Sequence, residues 1–138
     1  MLKKLVDTNI IIDRLSNPAL HHDIFLSEGF VYLSAVVLLE LKAGAHTKES
    51  NAAVHDIRSL FVRLGRIVTP SMKDYETAGE ILAGLQRSKG YDIKKSASLA
   101  NDCLIAASAR SMGAVLYTQN KKDFQAIQDV FDCKVAFI

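Results

Sequence analysis

The chain has 138 residues, of which 49% are hydrophobic and 23% charged, with a formal net charge of +2. That length makes one ordinary domain able to bury about two thirds of its unfolded surface, and no apolar run approaches the ~18 residues of a membrane span. A charge this small excludes a general nucleic-acid coat, and MLKKLVDTN meets Asp7 after only two apolar residues, so it reads as neither signal peptide nor anchor and the chain as cytoplasmic.

In chain order, LKKLVD is a short β-rich run ending in Asp7, and TNIIIDRL opens a helix with Thr8 or Asn9 near its N-cap. SNPAL breaks the chain before a second short helix around residues 21–27. Residues 30–33, FVYL, form a strand between Gly29 and Ser34; Ser34 then caps the helix AVVLLELKAG, which Gly44 closes. Residues 48–65 have helical periodicity through Ala52, Val54, Ile57, Leu60, Phe61 and Leu64, and Arg66 to Val68 make a brief strand before Pro70. A long amphipathic helix follows from about Lys73 to Arg87, then the polar, basic connection SKGYDIKKSA and the helix LANDCLIAASARSM. After Gly113 come the strand AVLYT, a short turn or helix over NKKDFQAI, and the last strand CKVAFI. Strands separated by helices imply right-handed crossovers and an α/β fold, with a parallel sheet covered on both faces.

LANDCLIAA holds an anomaly. Ser98, Leu99, Asp102, Ile105, Ala106, Ala109 and Met112 fall on one helical stripe, so the acid lies within an apolar face. A buried carboxylate must be protonated, paired, hydrogen-bonded by several donors, or bound to a metal. Asp7 at the end of the first strand, Glu40 inside AVVLLEL and Asp123 in TQNKKDF share this character. All four are predicted to converge on the carboxyl edge of the sheet, where sites form in open α/β folds.

Carboxylates without clustered His or Cys favour Mg²⁺ or Mn²⁺ over zinc. The four histidines show no H-E-x-x-H pattern, and Cys103 and Cys133 form no C-x-x-C pair, so two reduced thiols are expected. Magnesium usually completes its shell with substrate phosphate, which points to phosphoryl or phosphodiester chemistry. Arg87, Lys89, Lys94 and Lys95 before the LANDCLIAA helix, with Lys121 and Lys122 after a later strand, suit a polyanionic substrate, although a charge run is also an ordinary solvated face. Spacing alone leaves phosphatases and phosphorelay receivers beside nucleases. Receivers need adjacent acids after the first strand, however, and here Leu5 and Val6 precede a single Asp7.

VDTNIIID, SAVVLLELKAGA and LANDCLIAASARSMGAVLYTQNKKDF, in this order and spacing, resemble the PIN-domain nucleases, in particular the VapC-type toxins of toxin–antitoxin pairs, over nearly the whole chain. The resemblance implies a single PIN domain over residues 1–138: a three-layer α/β/α sandwich with a central, mainly parallel sheet of about five strands. It also implies a Mg²⁺-dependent endoribonuclease toxin, with Mn²⁺ as a substitute, that hydrolyses RNA with a metal-activated water. By match to the motifs, Asp7, Glu40 and Asp102 are metal-binding acids. The fourth acid of the family stands directly after T-x or three residues later; this chain has Asn120 at the first place and Asp123 at the second. Asp123 therefore takes the ligand role and Asn120 a polar supporting one. Thr8, Asn9, Ser34 and Thr118 match positions that hold hydrogen bonds around the acids. The implied partners are a second copy of the chain and a small VapB-like antitoxin whose C-terminal segment lies in the active-site groove, to which amphipathic segments at residues 20–64 can contribute. The alternative is a PIN-fold module that has lost catalysis and only binds RNA or protein, an alternative left open by the neutral Asn120.

Overall fold

The computed structural model describes residues 1–92, 94 and 98–138. The elements are β1 (Lys3–Val6), α1 (Thr8–Ser16), α2 (His22–Leu26), β2 (Phe30–Ser34), α3 (Ala35–Gly44), α4 (Lys48–Leu64), β3 (Ile67–Val68), α5 (Met72–Lys89), α6 (Leu99–Met112), β4 (Ala114–Thr118), α7 (Lys121–Val130) and β5 (Val135–Phe137). The five strands form one sheet in the order β3-β2-β1-β4-β5, and every pairing is parallel. The expected sheet is thus present, and entirely parallel.

This order has a consequence for function. The chain builds outward from β1 to β2 and β3, then returns across the sheet to place β4 and β5 on the other side of β1. The carboxyl ends of β1 and β4 are therefore the switch point, outside which a crevice opens because the connections depart in opposite directions. Leu5 pairs with Leu116 and Val6 with Tyr117 in the register, so Asp7 leaves β1 beside the end of β4.

The central strands are apolar on both faces because helices cover them: Leu5, Val6, Leu33 and Leu116 are completely buried. Lys4 is the exception within β1. It is only 2% exposed, and its Nζ donates to the Ile24 carbonyl at 2.8 Å and to the Ser27 hydroxyl, tying the sheet to the end of α2. Its charge is satisfied by acceptors that the fold brings in from about 20 residues downstream. Replacing Lys4 by Met keeps the apolar stem but strands the Ile24 carbonyl. The expected loss is about 1–3 kcal/mol in denaturant unfolding, and an unchanged midpoint would contradict the assigned role.

Most helix ends follow local chemistry. Thr47 with Ser50, and Ser71 with Asp74, form capping boxes that start α4 and α5, and Gly65, Gly90 and Gly113 end α4, α5 and α6 in the left-handed conformation. Asp74 is a buried acid whose bond to the Ser71 N–H gives it a structural role. Four expectations need correction. Asp7 itself, not Thr8 or Asn9, caps α1, because the strand exit gives Asp7 the extended backbone of an N-cap. Gly44 is the last helical residue of α3, and Ala45 is its C-cap. The final turn is a full helix to Val130, since Phe124, Ala126 and Ile127 give it a buried face. The buried side of α6 also includes Cys103, Ala107 and Ser108, because α6 packs against α3, α5, α7 and β4 together. Among the described residues, no helix is long and apolar enough to cross a membrane.

Candidate active site

Asp7 sits at the switch point, 4% exposed. Its Oδ1 accepts the Thr8 N–H at 2.8 Å, while Oδ2 accepts from the Thr118 hydroxyl at 2.6 Å and the Asn9 amide at 3.4 Å. Thr118 in turn accepts the Asn120 N–H at 3.0 Å, so the end of β4 and the first carboxylate are locked together. Glu40 reaches the same place from α3, where its Oε1 accepts from the Thr8 hydroxyl at 2.7 Å.

Asp102 and Asp123 lie in the first turns of α6 and α7. The Asn120 side chain joins them, its amide nitrogen donating to Asp102 Oδ2 at 3.3 Å and to Asp123 Oδ2 at 3.1 Å. The same residue caps α7, its Oδ1 accepting the Asp123 N–H at 3.3 Å. Asp123 Oδ1 accepts from the Tyr91 hydroxyl at 3.1 Å.

Burial pushes the Asp102 carboxyl up to about 8, and the negative charges of Asp7, Glu40 and Asp123 push it in the same direction. Asp102 therefore lies within electrostatic reach of the other three acids. Among the described residues, no three His, Cys, Asp or Glu side chains are drawn together tightly enough to hold an ion as they stand. Neutral donors occupy the carboxylate oxygens instead. The donor set nonetheless fits a hard cation: every group is oxygen, added positive charge would relieve the crowding at Asp102, and the buried Asn9 Oδ1 has no hydrogen-bond partner.

The other expected site residues divide. Thr8, Asn9, Thr118 and Asn120 all hydrogen-bond an acid. Ser34 does not; it is buried and caps α3 through the Val36 N–H at 3.1 Å. Lys94, Lys121 and Lys122 are exposed and form no ion pair among the described residues, and Lys95 lies outside them. Cys103, next to Asp102, is no nucleophile, because burial and then the Asp102 charge push its thiol up to about 12. Sequence reasoning missed Tyr91. Its only signal was an aromatic ring in an otherwise polar connection.

A cavity of about 520 Å³ opens beside Glu40, lined by Ile12 and Leu15 of α1, Leu41 and Ala45 at α3, and Ala53 and Val54 of α4. Two of its walls, α3 and α4, come from residues 20–64, and the third comes from α1.

A parallel sheet with interacting acids outside its switch point defines a class of α/β proteins whose site lies at the carboxyl strand edge. Residues 4–130 match the family model of the PIN domain, and the chain belongs to that family. Its similarity extends to the tRNA(fMet)-specific endonuclease VapC of Shigella flexneri, 33% identical over 134 residues, 92% of this chain and 93% of that protein. Among solved structures it resembles the DNA-bound VapBC of Salmonella typhimurium (25% identity, 99% of this chain and 98% of that one, TM-score 0.72). VapBC-1 of nontypeable Haemophilus influenzae is similar too (26% identity, 99% and 98%, TM-score 0.67). Within the PIN family, the chain is a VapC-type endonuclease toxin.

Proposed function

We propose that this VapC-type toxin hydrolyses RNA phosphodiester bonds with a Mg²⁺ ion, replaceable by Mn²⁺, on Asp7, Glu40, Asp102 and Asp123. The observation that carries this reading is Asp102, a buried carboxyl raised by burial and by the charges of the other three acids. When bound, the cation supplies positive charge that eases deprotonation of water and offsets charge on the phosphate. The chain's own residues hold the acids ready. Thr118 and the Thr8 N–H orient Asp7, the Thr8 hydroxyl orients Glu40, and Asn120 spans Asp102 and Asp123. The exposed Lys121 and Lys122 at the start of α7, with Lys94, attract the RNA backbone to the acid-lined edge; Lys95 is expected to add to them.

The similar Salmonella and Haemophilus structures are VapBC assemblies. That similarity supports pairing of this chain with a small VapB-like antitoxin; we further propose that it acts in the cytoplasm as a homodimer. The apolar cavity beside Glu40 suits the antitoxin's C-terminal segment.

The test is cleavage of tRNA by purified protein. Chelator is expected to abolish cutting and Mg²⁺ to restore it. Asp7→Asn is expected to weaken Mn²⁺ binding by about tenfold or more. Cutting in excess chelator, or parental Mn²⁺ affinity in Asp7→Asn, would sink the reading. A chain that bound RNA without cutting it under any divalent cation would be the inert module. Sequencing the 5′ ends of RNA that accumulates after induction identifies the substrate.

A further inference from the structure

Tyr91 is bound to the acid cluster yet belongs to none of the motifs that point to it. It follows Gly90, whose left-handed backbone (φ +68) ends α5, and the Tyr91 N–H returns to the Leu85 carbonyl at 3.3 Å. The backbone of Tyr91 is therefore fixed by the helix cap, and its partly buried ring packs against the core. From there the phenol crosses 32 residues of sequence to donate to Asp123 Oδ1 at 3.1 Å. The other oxygen of Asp123 accepts from Asn120. A carboxylate on a helix's first turn is free to rotate about its own side-chain bonds; here a donor on each oxygen removes that freedom. Tyr91 also begins the connection that carries Lys94, so one side chain ties the start of that connection to α7.

We propose that Tyr91 is a positioning residue for Asp123 in RNA cleavage, its hydroxyl holding the carboxylate in the orientation that receives the cation. The proposal rests on the reading of Asp123 as a metal ligand. Ordering a ligand beforehand lowers the entropy lost on binding, and partners of this outer kind typically contribute about 10–100-fold to metal affinity or activity.

The experiment measures Mn²⁺ binding by calorimetry for the full-length parent, Tyr91→Phe, Asp123→Asn and the double variant, with a thermal melt of each. Phenylalanine keeps the ring and the helix cap, so the melting temperature of Tyr91→Phe should stay within about 2 °C of the parent. Mn²⁺ affinity should fall about tenfold, the low end of that range. The Mg²⁺ concentration for half-maximal cleavage should rise in step, with KM for RNA unchanged. In the Asp123→Asn background, Tyr91→Phe should have no further effect. Parental Mn²⁺ affinity in Tyr91→Phe, when Asp123→Asn is weakened, would overturn the proposal, as would effects that multiply in the double variant. If Asp123→Asn itself binds Mn²⁺ like the parent, the proposal is wrong, while a cation on the remaining acids is judged separately by Asp7→Asn.

Discussion

Asp102→Asn is expected to lower RNA cleavage by a factor on the order of a hundred or more, while making the metal-free protein more stable. The two effects share one cause. Asp102 is 4% exposed and crowded by the charges of Asp7, Glu40 and Asp123, so its carboxyl is a poor residue for folding alone. Asparagine has nearly the same shape, and its side-chain oxygen can still accept from the Asn120 amide that now meets Asp102 Oδ2. It needs no proton to fold, whereas Asp102, ionised in the unfolded chain at neutral pH, must take one up. At neutral pH without metal, the variant should melt at least about 4 °C above the parent. Parental cleavage would remove Asp102 from the site, and a lower melting temperature would show that the carboxyl stabilises the fold.

The second large effect is a coupling of stability and metal affinity to pH. In the unfolded chain Asp102 ionises near its ordinary 3.8, whereas in the metal-free fold it holds its proton up to about 8. Between those values the folded state binds more protons than the unfolded one, so the Asp102 contribution to stability is full below the lower value and is lost as pH rises. The slope approaches about 1.4 kcal/mol per pH unit. The melting temperature of the parent should therefore fall away from that of Asp102→Asn as pH rises from about 4 to about 8. A bound cation reverses the balance, since it must displace the proton. Apparent Mg²⁺ affinity should rise about tenfold per pH unit and level off near the Asp102 value. Calorimetry in buffers of different ionisation enthalpy reads the released proton directly. Affinity that is flat with pH, or parallel melting curves for parent and variant, would refute the linkage.

The route from residues to site was legible unevenly, for physical reasons. Glu40 and Asp102 stood out because each interrupts an apolar stretch with a group whose burial is costly, and such a cost is readable from neighbours within one helical turn. Asp7 and Asp123 stood out by position, after strands whose ends must share an edge. Ser34 was legible as a helix cap, and that local role is the one it keeps; among the described residues it bonds no acid. Lys4 drew no notice, because a lysine in a strand of four residues carries no sign of the acceptors that meet it. Tyr91 escaped for the same reason, its partner lying 32 residues away on α7.

By itself, then, the sequence determined the alternation of strands and helices, the start and stop of most of them, and the four acids that folding would have to accommodate. These follow from hydrophobic period, caps and charge, which act over a few residues. Tertiary structure alone decided that β1 and β4 lie side by side, that Thr118 locks Asp7 while Asn120 bridges Asp102 and Asp123, and that Tyr91 completes the hold on the last acid. Those are contacts between distant segments, and their energies exist only once the sheet has closed the loops that bring the segments together.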